Sequence, residues 1–143
     1  MRVLATVVPG LWLAWLVLTE WVPMFPLNDL RPGNLRHRRI AAAINYPFPL
    51  LIAAGVALGR TWSLVAATAL AGLIVFGHVT SWWLPYAGLS TAAQRETYRR
   101  DYARTLKVLP TAGHDVVIDV QHMVVGVLSL IMLGTTLAVT LSG

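Results

Sequence analysis

The chain has 143 residues, of which 57% are hydrophobic and only 12% are charged. A soluble domain has roughly twice that charged fraction, so the composition favours an integral membrane protein. The absence of cysteine excludes disulfides, thiolate metal sites and cysteine nucleophiles. The net charge of +5 comes mostly from short loops between apolar runs. Because membrane orientation explains such loops, we predict no nucleic-acid partner.

Four apolar stretches are each long enough to cross a membrane, for which about 20 residues are needed. In chain order they cover residues 3–22, 40–58, 62–84 and 116–141. The second stretch contains Pro47 and Pro49, which predict a kink or an unwound turn. The expected fold is all-α, with residues 1–143 forming a single integral membrane four-helix bundle.

The loops between these stretches differ sharply in basic content. Most of the basic residues lie in the first and third loops, at Arg31, Arg36, Arg38, Arg39, Arg95, Arg99, Arg100, Arg104 and Lys107. Short basic loops stay in the cytoplasm, so the pattern predicts these loops inside and both termini outside. The predicted location is the inner (cytoplasmic) membrane of a bacterium.

The third loop also has a helical pattern. Thr91 and Gln94 have the spacing of a capping box, and Tyr98 and Tyr102 are separated by four residues. We expect a short amphipathic helix over residues 91–106, with its arginines near lipid phosphates and its tyrosines facing the bundle. A solvated basic helix that only sets the topology is the alternative.

Polar side chains within the four stretches are not scattered. In the predicted orientation they lie at a similar depth near the cytoplasmic ends of all four spans, at Glu20, Asn45, His78, Asp119 and His122. Ionisable groups inside a membrane are costly, so a cluster of them indicates a site.

Two helical faces extend this cluster. Asp115, Asp119 and His122 are spaced four and three residues apart, which places them on one face of a helix. Ser81 and Trp82 follow His78 by three and four residues and are predicted to share its face. The predicted catalytic residues are Glu20, His78, Asp119 and His122, and the predicted substrate-binding residues are Asn45, Ser81, Trp82 and Asp115.

Three interpretations of this cluster compete. The polar groups can hydrogen-bond across helices and fix the packing. They can instead handle protons, because a carboxylate facing an imidazole tunes both groups for acid–base chemistry. A zinc or iron site using His78, His122 and a carboxylate is the third interpretation. The chain has neither HxxxH nor ExxH spacing, so we predict no metal and no other cofactor.

Several motifs resemble a known group of proteins. They are EWVPMFPLND (residues 20–29), TSWWLPY (residues 80–86) and a Leu-Pro pair at residues 109–110 ahead of the histidine-bearing last span. Across most of the chain these motifs resemble small bacterial four-span membrane proteins. The resemblance implies the four-span plan and supplies no catalytic residue. Sterol-isomerase-like membrane proteins and small multidrug transporters are similar in plan only, since their motifs are absent.

The leading functional hypothesis is a small membrane enzyme that isomerises, cyclises or hydrates a lipid- or isoprenoid-like substrate. The substrate would enter a cytoplasm-facing pocket from the inner leaflet. One alternative is a proton-coupled transporter using Glu20 or Asp119, for which four spans would require a homo-oligomer. The other is a non-catalytic subunit of a larger membrane complex.

Overall fold

The computed structural model describes residues 1–30 and 35–142. Within these ranges the secondary structure is helical, apart from one isolated antiparallel bridge between Lys107 and Asp119. The all-α prediction is therefore confirmed. In chain order the elements are α1 (Arg2–Trp21), α2 (Leu35–Asn45), α3 (Pro47–Leu58), α4 (Thr61–His78), a π-helical turn (Val79–Trp83), α5 (Leu84–Tyr86), α6 (Ala92–Asp101) and α7 (Val120–Ser142).

Four helical stretches are long and apolar enough to cross a membrane, in agreement with the number of predicted spans. They are Arg2–Trp21, Leu35–Leu58, Thr61–Tyr86 and Val120–Ser142. The second is interrupted at Tyr46, where Pro47 begins α3, so the predicted break at the prolines is present.

The last helix begins later than the predicted boundary at residue 116. Asp119 Oδ1 accepts the backbone N–H of His122 at 2.9 Å, which is the geometry of a helix N-cap. The residues before Asp119 pair with another segment instead, because the Val108 N–H donates to the Ile118 carbonyl at 3.1 Å. Asp119 is therefore the N-cap residue of α7 and does not lie within its first turns.

Helices α1, α3, α4 and α7 form a closed ring. Helix α3 packs against α1 and α4, and α7 packs against the same two helices from the other side. Their shared core includes Trp12, Ile52 and Met132. The Trp12 indole N–H donates to Ser129 Oγ at 2.8 Å, which ties α1 to α7 inside this core.

A tight turn joins α3 to α4. Gly59 ends α3 with φ at +65°, a backbone conformation that favours glycine. Gly55 allows α4 to come close, since a Cβ there would lie 2.9 Å from the Ser63 carbonyl oxygen. The Ser63 hydroxyl donates to the Gly55 carbonyl at 2.8 Å.

Helix α2 packs differently from the four helices of this ring. Only Ala42 of its residues is buried, and its one extensive neighbour is the following helix α3. The other residues of α2 face either a cavity or the molecular surface. Helix α2 therefore lies between the cavity and the molecular surface and is not part of the central core.

The first and third loops meet at one end of the bundle. The Leu106 N–H donates to the Pro26 carbonyl at 2.8 Å, and Arg104 lies 3.9 Å from the Asp29 carboxylate. Asn28 ends α1 by donating to the carbonyls of Thr19 and Val22 at 2.7 and 2.8 Å. The two basic loops thus share one end, as the sequence predicted, while their side of the membrane remains a prediction.

Helix α6 is shorter than the predicted helix over residues 91–106. The capping box is confirmed, since the Gln94 N–H donates to Thr91 Oγ1 at 3.2 Å and the Thr91 N–H donates to Gln94 Oε1 at 2.9 Å. The helix ends at Asp101 because the chain then turns to pair with the segment before α7. Tyr98 is buried against Val116 and Val117, so this tyrosine faces the protein as expected.

Candidate functional site

A cavity of about 500 Å³ lies at the end of the bundle where the first and third loops meet. Its deep wall is apolar and includes Trp12, Leu16 and Val125. The remaining wall contains every predicted site residue except Asp115 and Asp119, namely Glu20, Asn45, His78, Ser81, Trp82 and His122. The sequence pattern therefore identified residues from four helical segments that surround one space.

One side of this cavity opens between α2 and α4. Ile44 on α2 and Leu73 and Phe76 on α4 line the cavity and are also more than half exposed at the surface of the chain. These residues belong to the apolar stretches that can cross a membrane. The opening therefore has the apolar rim that a hydrophobic molecule arriving from lipid would require.

Asp119 and His122 form a hydrogen-bonded pair at the cavity wall. Asp119 is 0% exposed, and its Oδ1 lies 2.7 Å from His122 Nδ1. The same oxygen accepts the His122 backbone N–H, and Oδ2 accepts the Thr105 hydroxyl at 2.6 Å. A carboxylate on Nδ1 favours the tautomer with the proton on that nitrogen, which leaves a lone pair on Nε2.

The surroundings of Asp119 keep its carboxyl group ionised. Burial acts to raise the pKa, but hydrogen bonds from the His122 ring, from the His122 backbone N–H and from Thr105 outweigh it, so the pKa of Asp119 is lowered. Thr105 is itself held by Lys107, whose ammonium group donates to Thr105 Oγ1 at 2.9 Å. A buried anion thus orients the imidazole without needing to change protonation state.

Two aromatic rings hold the His122 ring on its other sides. Trp82 stacks on it with 3.6 Å between ring centroids, and Tyr102 contacts it edge-on at 4.9 Å. Burial raises the pKa of Tyr102, so its phenol remains neutral beside the imidazole. The sequence predicted only that Tyr102 faces the bundle, and its contact with His122 was not foreseen.

His78 faces the same cavity from the last turn of α4. It is 9% exposed, and its Nε2 is buried without a hydrogen-bond partner among the described residues. Gly126 on α7 makes room for the ring, because a Cβ there would lie 2.5 Å from Nε2. Buried polar atoms are almost always paired, so a hydrogen-bonding group of His78 is unused in the described part of the chain.

A π-helical turn places Ser81 and Trp82 on the cavity wall. Residues Val79–Trp83 form this turn, in which the Leu84 N–H donates to the Val79 carbonyl. Pro85 lacks an N–H, and its ring would collide with the Ser81 carbonyl in a regular α-helix, so a wider turn accommodates it. Such turns are frequent at functional sites. The sequence predicted a continuous helix here and did not foresee the turn.

Glu20 lies at the junction of α1 with the break between α2 and α3. The Tyr46 hydroxyl donates to Glu20 Oε2 at 2.6 Å and accepts the Trp21 indole N–H at 2.8 Å. Arg38 donates to the Glu20 backbone carbonyl at 3.1 Å. The carboxylate is therefore fixed by Tyr46 beside the break between α2 and α3.

Asp115 lies away from this site. Its side chain is 72% exposed, and its partner is Arg95 at 3.9 Å. Its spacing from Asp119 and His122 predicts one shared helical face, but α7 begins after both aspartates, so that prediction is wrong for Asp115. The structure therefore does not bring Asp115 into the cavity wall.

Within the described ranges, no three His, Asp or Glu side chains come together as a set of metal ligands. No family model matches the chain, and no curated protein and no solved structure matches it. The likeness to small bacterial four-span proteins therefore rests on the sequence motifs alone, and the chemistry must be argued from the cavity.

Proposed function

We propose that the protein is a small membrane enzyme that performs acid–base chemistry on a hydrophobic lipid- or isoprenoid-like substrate. The observation that supports this most strongly is His122, held by a buried aspartate and two aromatic rings at the wall of a laterally open cavity. If His122 served only to pack the helices, it would need neither an ionised, fully buried carboxylate on one ring nitrogen nor a ring that borders a cavity.

In the proposed reaction His122 acts as the base. Its Nδ1 is engaged by Asp119, so Nε2 accepts a proton from the substrate and the carboxylate stabilises the resulting imidazolium. Glu20 in its protonated form, or His78 through a ring N–H, gives a proton to a second atom of the substrate from another part of the cavity wall. The proton taken up by His122 is released to solvent, and the donor takes a proton back from solvent, so both groups regain their starting state. A proton removed and a proton returned isomerise the substrate without any oxidant or cofactor.

The shape of the cavity supports a substrate with an apolar body. The rim of Ile44, Leu73 and Phe76 admits such a body from the lipid, and the deep apolar wall receives it. Asn45 and Ser81 offer hydrogen bonds that would orient a hydroxyl, a carbonyl or a water molecule. With water as the oriented group, the same residues would perform hydration.

The proposed location is the bacterial cytoplasmic membrane, with the cavity at the cytoplasmic side. The basic first and third loops, which meet beside the cavity, support the cytoplasmic orientation. The substrate would then come from the inner leaflet.

The test uses solvent deuterium. The purified protein is incubated in D₂O with a total bacterial lipid extract, and the lipids are analysed by mass spectrometry. We expect one hydrophobic species to gain deuterium, because a proton removed by His122 exchanges with solvent before it is returned. Replacing His122 with alanine should lower the rate of incorporation on the order of 10²- to 10⁴-fold.

Asp115→Asn is the matched control, because that carboxylate lies outside the cavity. It should incorporate deuterium at the wild-type rate. Equal incorporation by wild type and His122→Ala, or none by either, would remove the enzymatic proposal. Retention of a lipid without incorporation would instead favour the transporter or the non-catalytic subunit.

A further inference from the structure

Helix α2 has two opposite polar faces. The inner face lines the cavity through Arg38, Ala41 and Asn45, which are spaced three and four residues apart. Arg36 precedes Arg38 by two residues and therefore points to the other side of the helix. This outer face forms a shallow surface groove lined by Leu35, Arg36, Arg39, Ile40 and Ala43.

The two arginines of this outer face differ from those of the third loop. Arg36 and Arg39 are exposed and have no carboxylate partner in the described part of the chain. In the third loop every arginine lies within 4 Å of a carboxylate, as shown by the pairs Arg95–Asp115, Arg99–Glu96, Arg100–Asp101 and Arg104–Asp29. Between these two sets of arginines, the pair without carboxylate partners in the described ranges is therefore on α2, although the sequence suggested α6 as the phosphate-binding helix.

The position of this charge fits the edge of a membrane. Arg36 and Arg39 lie in the first turns of the apolar stretch Leu35–Leu58. Further along the same stretch, Ile40, Leu50 and Leu51 are exposed. A positive end followed by an apolar surface complements a molecule with an anionic head and an acyl chain.

We propose that the outer face of α2 binds the headgroup of an anionic phospholipid, with Arg36 and Arg39 contacting its phosphate. Guanidinium groups match phosphate oxygens in a planar, two-point geometry, and Ile40 and Ala43 continue the contact along the first part of the acyl chain. Because Arg38, Ala41 and Asn45 lie on the opposite side of the same helix, the bound lipid lies directly behind the cavity wall. This site does not depend on the proposed reaction.

The experiment compares lipid retention by the full-length protein in detergent, using native mass spectrometry with phosphatidylglycerol or phosphatidylcholine. The wild type should retain phosphatidylglycerol in clear preference. Each arginine near a membrane surface contributes roughly a fivefold effect, so Arg36→Gln with Arg39→Gln should lower phosphatidylglycerol retention about 30-fold. Arg36→Lys with Arg39→Lys should lose less retention than the glutamine pair but more than the control, because the charge remains while the two-point geometry is lost.

Arg99→Gln with Arg100→Gln is the matched control, since both side chains are exposed and already paired with carboxylates. It should change retention less than about twofold. The proposal is overturned if the wild type retains the two lipids equally, a result that does not depend on any variant folding. It is also overturned if the control pair loses as much lipid as the α2 pair, because general basicity would then explain the binding.

Discussion

The two ends of the helical ring use polar residues in opposite ways. At the closed end, formed by the start of α1, the α3–α4 turn and the last turns of α7, hydroxyl groups meet one another or nearby carbonyls. Thr68 and Thr140 hydroxyls lie 2.8 Å apart, and Ser63 donates to Gly55. At the cavity end, formed by the ends of α1 and α4 with α2 and the start of α7, imidazoles and carboxylates border about 500 Å³ of space.

The difference follows from what each side chain can do alone. A serine or threonine in a helix can donate to the carbonyl one turn earlier, as Thr136 does to Met132 at 2.9 Å, so it is satisfied without a partner helix. A histidine or an aspartate carries more polar atoms than one bond of this kind satisfies. His122 and Asp119 satisfy each other, whereas His78 Nε2 is left without a partner among the described residues. This unused hydrogen-bonding capacity lies at the end with the cavity.

The largest expected effect is on packing in the central core. Met132 is 0% exposed in the central core, so Met132→Ala should lower the free energy of unfolding by about 2–5 kcal/mol. Leu73→Ala, at the exposed cavity rim, should cost clearly less, because truncation there leaves no enclosed void. Thermal unfolding in detergent, followed by helical circular dichroism, measures both. Equal losses would mean that the rim is packed as tightly as the core.

The next effect concerns the start of α7. Asp119→Ala leaves the His122 N–H without its cap and the Thr105 hydroxyl without its acceptor, so stability should fall by about 1–3 kcal/mol. Asp115→Ala is the control and should change stability by less than about 0.5 kcal/mol, because its ion pair is exposed. The same unfolding assay applies, and similar losses for both variants would contradict the assigned role of Asp119.

Acid should weaken the cavity end selectively. The pKa of Asp119 is lowered in the folded protein, so its ionised form stabilises the fold above its ordinary pKa of 3.8. That contribution is lost as the pH falls below this value through the lower folded pKa. Asp119→Asn should therefore show a smaller loss of unfolding temperature between about pH 5 and pH 2 than wild type. Parallel curves for the two proteins would show that Asp119 does not contribute to the acid response.

The smallest expected effect compares two glycines of α7. Gly126→Ala places a methyl group against the His78 ring and should cost on the order of 1 kcal/mol while moving the ring. At Gly134 a Cβ would meet nothing within 4 Å, so Gly134→Ala should be neutral or stabilise by up to about 1 kcal/mol. Imidazole NMR signals of His78 would detect the movement in the first variant only. An unchanged spectrum in Gly126→Ala would contradict the close contact between the His78 ring and residue 126.

Much of the cavity end follows from local patterns in the sequence. Apolar length predicts the four spanning stretches, and depth within each stretch brings Glu20, Asn45, His78 and His122 to one level. The regular rise per residue of a helix is enough to predict both features, because most of the chain is helical.

The remaining features depend on contacts between distant segments. Thr105 reaches Asp119 because residues 106–108 pair with residues 118–120, and helical periodicity contains no information about that pairing. The same pairing moves the start of α7 past Asp115, which explains why that residue is on the surface. The contact of Tyr102 with His122 likewise follows from the turn after α6.

The most direct test of the central claim is an experimental structure of the protein in a lipid nanodisc that contains bacterial lipids. We expect an elongated molecule that enters between Ile44 and Phe76 and ends within hydrogen-bonding distance of His122 Nε2. A structure in which α2 closes onto α4 and protein side chains fill the space beside His78 and His122 would contradict it.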